Sequence, residues 1–159
     1  MDDPHMVEGV YKEAMEDLKE MYCGRTTMEI LDRRWSKDAL FEDPWLLCKG
    51  FDQYAPHWFS IPRLYTHFDQ VSMRILSANL DPHRVVYAQT MHYTLRWVGI
   101  RKEVDSIIIV DFDDEFKVIR LVDQWDGEQP PTRWGTLYWR KFNAKLIPWL
   151  VRVPKTKSA

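Results

Sequence analysis

The chain is short of the residues from which many site types are built. It has two cysteines, Cys23 and Cys48, in no metal-ligand spacing, and its five histidines form no HExxH pair. No CxxC, GxSxG, phosphate loop or GxGxxG occurs, so neither metal hydrolysis nor P-loop or Rossmann chemistry has positive support, and no cofactor or metal is expected. No apolar run reaches the roughly 18 residues that a membrane span needs. The opening MDDPHMVEG lacks the basic and apolar regions of a secretory leader, so a soluble chain, cytoplasmic by default, is expected. A leader already removed would leave no trace in this sequence.

Acidic side chains are missing from one end. Nothing after Glu128 opposes Arg133, Arg140, Lys141, Lys145, Arg152, Lys155 and Lys157, whereas the whole chain carries a formal charge of -2. Nucleic acid is therefore not expected as a partner. The basic end reads either as a solvated, core-capping segment or as a surface for an anionic partner or membrane.

Aromatics are abundant: eight Trp, seven Tyr and seven Phe in 159 residues. They fill a core or line an apolar cavity. One domain is the expectation at this length. From Met6 to Tyr22 apolar residues recur at helical spacing until Gly24 ends the pattern, and Thr26 or Thr27 caps a second helix whose apolar stripe includes Trp35. Asp38 to Asp43 is extended, because the residue before Pro44 is pushed away from helical angles. Gly50 opens a third helix over about 51–60. Four segments rich in β-branched and aromatic residues follow, at roughly 64–78, 84–98, 103–113 and 117–126, in the order of an antiparallel meander. This predicts an α+β fold, a curved sheet with the helices on its concave face. Pro130-Pro131 separates this body, residues 1–127, from a basic extension, 128–159, expected to be helical to about Leu146 and broken at Pro148.

The stretch WSKDALFEDPWLLCKGFDQY resembles the signature of SnoaL-like, nuclear-transport-factor-2-like cone proteins, in which an aromatic, an Asp-Ala pair, an Asp-Pro and a Gly precede the third helix. The closing DFDDEFKVIRLVDQWD is similar to the last hairpin of that superfamily, so the resemblance covers about residues 6–127. It implies the cone fold and a range of activities that includes isomerases, dehydratases, cyclases and transport factors. In its ketosteroid isomerases the Asp of the Asp-Pro step is the general base, which here is Asp43. The tyrosine and protonated acid that hold the enolate fall on Lys19 and Ile108, so steroid isomerisation is not expected. Scytalone-type dehydratases use tyrosines, a histidine pair and an aspartate. Tyr87, Tyr93, His67, His92 and Asp123 supply those residue types.

Strand parity gives a reading that does not depend on the resemblance. If Arg120 faces solvent, Ile119, Leu121, Asp123 and Trp125 share the covered face, and an acid there needs a partner or a raised pKa. Asp123 is thus either a cavity acid or a strand-end residue that is hydrated or paired. In VVYAQTMHYTLRW the same alternation sends Tyr87, Gln89, Met91, Tyr93, Leu95 and Trp97 toward a cavity or a plain core, and Thr90, His92, Thr94 and Arg96 to the outer face.

Asp43 and Asp123 are accordingly the candidate catalytic residues, with Trp35, Phe41, Trp58, Tyr87, Met91, Tyr93, Trp97 and Trp125 as candidate ligand contacts. His57 is expected on a helix surface. The expected function is binding of a small hydrophobic molecule, with acid-base chemistry of dehydratase, isomerase or cyclase type. The alternative is a non-catalytic interaction domain that recognises protein through the outer sheet face or basic tail. A homodimer through the outer face, near His92, Arg120 and Val122, is also expected.

Overall fold

The computed structural model describes residues 4–128 and 133–155. The proposed boundary at Pro130-Pro131 and the last tail cation, Lys157, lie outside the described residues. The order is α1 (Pro4–Tyr22), α2 (Met28–Arg34), β1 (Trp35–Glu42), β2 (Leu47–Lys49), α3 (Phe51–Leu64), β3 (Tyr65–Leu80), β4 (His83–Leu95), β5 (Arg101–Phe112), β6 (Val118–Trp125) and α4 (Trp134–Leu150).

Gly24 ends α1 with a positive φ of 72°, and a Cβ there would approach the Phe68 ring to 2.9 Å, so both backbone angle and close packing require glycine. Thr27 caps α2, its hydroxyl accepting from the Ile30 N–H at 3.2 Å. Trp35 does not extend that helix but begins β1, so its side chain enters the core through strand rather than helix geometry.

The predicted meander is present as β3-β4-β5-β6, all antiparallel. It belongs to one curved, unclosed six-stranded sheet of order β2-β1-β6-β5-β4-β3. The sequence reading missed two features. The piece expected over Asp38–Asp43 is longer, and it pairs parallel to β6, with Phe41 opposite Leu121 and Glu42 opposite Val122. The three residues of β2 then add an antiparallel edge.

One parity assignment is corrected. The register between β5 and β6 shifts at Phe112, which pairs with Val118 while Asp111 pairs with Arg120. This irregularity turns Val118 and Leu121 inward and leaves Ile119 exposed, where simple alternation had placed Ile119 on the covered face. Val122, expected on an open outer face, is also buried between its register neighbours Glu42 and Ile109.

Tyr11, Leu18 and Met21 of α1 are fully buried with Leu31, Trp35, Tyr54 and Trp58 in a single core. Each such side chain contributes roughly 1.5–3 kcal/mol of transfer free energy. The α1–α2 corner also holds a buried acid: Asp17 accepts from Arg33 Nη2 at 2.6 Å and from Arg34 Nε at 2.9 Å. Arg34 reaches on to the Phe116 carbonyl at 2.9 Å, tying the helices to the β5–β6 turn.

Both helices with internal prolines run past them. α3 contains Pro56 and Pro62 and reaches Leu64, beyond the expected end near residue 60. α4 continues through Pro148 to Leu150, correcting the expected break, and the Val151 N–H still closes on the Ile147 carbonyl at 2.9 Å. A proline loses its own N–H bond and crowds the carbonyl four residues back, but after Pro148 less than a turn of helix remains to be disturbed.

Candidate active site

Asp43 follows β1, at the corner where the chain turns into β2. Its Oδ1 accepts from the backbone N–H of Trp45 at 2.8 Å and of Leu46 at 2.6 Å, and its own N–H donates to the Leu46 carbonyl at 3.0 Å. This is the Asx turn that an Asp-Pro step favours. The Oδ2 oxygen carries no hydrogen bond among the described residues. Burial and the nearby Asp123 charge push Asp43 up to about 7, although the two N–H bonds and Arg140 favour the ionised form.

Asp123 sits on β6 opposite Ile108. Its Oδ2 accepts the Tyr22 hydroxyl at 3.1 Å, while Oδ1 is buried with no close hydrogen bond among the described residues. Burial pushes it up to about 6, against the opposing influence of Ser106, Tyr22 and Trp125. A buried carboxylate is costly to ionise, and the neutral form reduces that cost.

Both carboxyl groups line one cavity of about 540 Å3, together with Tyr22, Phe41, His57, Trp58, Tyr65, Tyr93, Ser106 and Trp125. Its walls come from edge-to-face packing, with Trp58 5.1 Å from Tyr22 and 5.2 Å from Phe41 between ring centroids. Tyr65 lies 4.9 Å from Tyr93 on the opposite wall. The α3 and α4 helices and the ends of β4 and β5 complete the rim with Leu64, Leu146, Ile147, Leu95 and Lys102.

Of the predicted ligand contacts, Phe41, Trp58, Tyr93 and Trp125 line this cavity. Trp35 and Met91 do not; both are fully buried core residues. Tyr87 lines a separate groove of about 500 Å3 between α1 and β3. Trp97 is 86% exposed, because β4 ends at Leu95 and the chain turns before alternation can carry Trp97 inward. Neither His67 nor His92 reaches the cavity: His67 meets Thr66 on the surface, and His92 pairs with Glu103 at 2.6 Å on the outer face.

Several wall residues were not anticipated. His57 faces the cavity rather than solvent, stacked 4.4 Å from Phe41, and burial pushes its imidazole down to about 3, so it is neutral. Tyr22 had been read only as the last apolar residue of a helical stripe, a pattern that cannot reveal its hydroxyl's partner 101 positions away. Arg140, in the supposedly solvated tail, is 1% exposed. It donates to the Asp43 carbonyl at 3.0 Å, the Leu46 carbonyl at 3.2 Å and Glu42 Oε2 at 3.3 Å, fastening α4 to the Asp-Pro corner. The basic tail alone pointed to that residue, and only as one of a group.

Among the described residues no cluster of His, Cys, Asp and Glu could hold a metal ion, and no helix is long and apolar enough to cross a membrane. No protein-family model and no curated protein matches the sequence. Solved structures do match the fold. An NTF2-like protein from Anabaena variabilis is 14% identical, with TM-score 0.64 over 79% of this chain and 93% of its own. A proposed polyketide cyclase from Xanthomonas campestris is 12% identical, with TM-score 0.62 over 74% and 91%. A proposed isomerase from Bacillus subtilis is 14% identical, with TM-score 0.58 over 72% and 87%. The chain has the SnoaL-like, NTF2-like cone fold that the Asp-Pro stretch resembled.

Proposed function

We propose that the cavity takes up a small, largely apolar molecule and that Asp43 and Asp123 move a proton on it, in chemistry of dehydratase, isomerase or cyclase type. The observation that carries this reading is the pair of buried carboxyl groups facing one aromatic-walled cavity. A volume near 540 Å3 is within the range of small-molecule sites. Proposed isomerases and polyketide cyclases among the fold neighbours are consistent with it. A cavity that stays open beside the Trp and Tyr side chains supports ligand uptake over an interaction domain with a self-filled core.

Near neutral pH the two acids hold about one proton between them, and their titration belongs to the pair. The ionised member takes a proton from a carbon next to a carbonyl, leaving the electron pair on the carbon-carbon-oxygen system. The protonated member donates a hydrogen bond to the oxygen, and return of the proton at a different atom completes an isomerisation. Tyr22 holds Asp123 in place, and the two N–H bonds hold Asp43, so both carboxyl groups are positioned before a ligand arrives.

The test is deuterium uptake from heavy water into small cyclic ketones, followed by mass spectrometry for the wild type, Asp43→Asn and Asp123→Asn. Uptake by the wild type that falls at least about a hundredfold in both variants is expected. No uptake by the wild type, or equal uptake by all three proteins, would refute proton transfer.

A further inference from the structure

Next to the cavity stand apolar side chains that no described residue covers. The β4–β5 turn presents Trp97, Val98 and Ile100 at 86%, 65% and 53% exposure. Beside it, Leu64 ends α3, and at the C-terminal end of α4 Trp149 and Leu150 stand 89% and 67% exposed. Hydrogen bonds place these three elements together. Arg96, at the start of the turn, donates through its backbone N–H to the Leu64 carbonyl at 2.9 Å and through Nη2 to the Pro62 carbonyl at 2.6 Å. Arg63 of α3 donates to the Leu150 carbonyl at 3.4 Å. Leu64, Leu95 and Leu146 line the same cavity, so the turn and the tip of α4 adjoin its rim.

Cations predominate on this rim, and the acid next along β5, Glu103, is taken up by His92 at 2.6 Å on the outer sheet face. Arg101 and Lys102 follow the turn, and Lys145 and Arg152 flank the tip of α4, all four exposed. No acid occurs in α4 or in the chain after it. A second copy docked symmetrically through α4 would set these cations against themselves. An anionic surface would neutralise them, and exposed Trp beside Lys and Arg is the composition that settles at the boundary between headgroups and acyl chains.

We propose that this rim docks on an anionic phospholipid bilayer, with Trp97 and Trp149 entering the interface and the surrounding cations meeting lipid phosphates. Docking turns the cavity mouth toward the membrane, so that an apolar ligand passes from the bilayer into the cavity without crossing water. The docking surface stands independently of the proton-transfer reading; only this route for the ligand rests on it.

Flotation with vesicles tests the proposal. Vesicles of equal parts phosphatidylcholine and phosphatidylglycerol are expected to carry the protein upward, with the tryptophan emission shifting to the blue. Phosphatidylcholine vesicles alone are expected to bind about tenfold less, and high salt to release the protein. A Trp97→Ser/Trp149→Ser double variant should lose the emission shift, and Lys145→Glu/Arg152→Glu should lower anionic-vesicle binding by about tenfold or more. These four positions are on the surface, so unchanged circular dichroism and an unchanged thermal unfolding midpoint will show that the fold is intact. No flotation with the anionic vesicles would overturn the proposal, as would binding that both variants retain. A dimer that dissociates on the Trp97→Ser/Trp149→Ser change would overturn it too, by identifying a second copy as the occupant.

Discussion

The Tyr22 hydroxyl donates to Asp123 Oδ2 at 3.1 Å, joining the last turn of the first helix to the last strand across 101 positions of chain. Ser106 and Trp125 favour the ionised carboxyl as well, but Tyr22 reaches it from a different element of the fold. Burial in turn pushes the Tyr22 hydroxyl well above its ordinary value, so it remains a donor at any working pH. Tyr22→Phe removes this bond and leaves Asp123 with only the influence of Ser106 and Trp125. We expect a loss of about 1–3 kcal/mol in denaturant unfolding at pH 7 and a further rise of the Asp123 pKa, read by NMR titration of the side-chain carboxyl. An unchanged titration would show that the bond does not hold the ionised form.

Stability should fall as pH rises through the range of the two site acids. Both folded values, about 7 for Asp43 and about 6 for Asp123, lie above the ordinary 3.8, so the folded state binds the proton more tightly than the unfolded chain. Their stabilising contribution is complete below 3.8 and is lost as pH climbs past 6 and 7. Asp43→Asn keeps an oxygen for the Trp45 and Leu46 N–H groups and removes the titration. It should be more stable than the wild type above pH 7, by on the order of 3 kcal/mol or less, with the gain vanishing in acid. Parallel unfolding curves for the two proteins across pH would contradict this.

His57 acts in the opposite direction. Its folded value near 3 lies below the ordinary 6.5, so its contribution is present above 6.5 and is lost as pH falls toward 3. His57→Phe keeps the stacking surface against Phe41 and cannot be protonated. The variant should unfold at lower pH than the wild type in an acid titration followed by tryptophan fluorescence.

The Asp17 corner should be the most sensitive ionic site outside the cavity. Burial alone would raise the Asp17 pKa, but the hydrogen bonds and charges of Arg33 and Arg34 outweigh it and hold the carboxyl below its ordinary range. Asp17→Ala strands Arg34, whose side chain is only 9% exposed, and should cost about 3–5 kcal/mol in chemical denaturation. A cost below about 1 kcal/mol would show that Arg34 finds water instead.

Arg140→Leu removes the donor that binds the Asp43 and Leu46 carbonyls and leaves Glu42 with Arg120 at 3.6 Å as its ion-pair partner among the described residues. It should loosen α4 from the Asp-Pro corner. Hydrogen exchange is expected to speed up in α4 and at residues 43–46 while the amides of β4 and β5 keep their protection. Uniform acceleration across the sheet would assign Arg140 to global stability instead.

What was legible in the sequence was local or periodic. Gly24, Thr27 and the 3.6-residue spacing before them determined the first two helices, and alternating β-branched and aromatic runs determined the four-stranded meander, because both follow from backbone geometry over a few residues. The Asp-Pro turn was legible for the same reason, since its hydrogen bonds close within three residues. Only the tertiary structure decided which residues meet. Parity failed at Ile119, where a register shift reverses the faces, and at Trp97, where the strand has already ended. The parallel pairing of β1 with β6, the Tyr22 bond to Asp123 and the burial of Arg140 against Asp43 join segments about 80 to 100 positions apart. No local pattern encodes such contacts; they exist because closing one core around a curved sheet brings distant side chains into the same small volume, where desolvation then sets their charge.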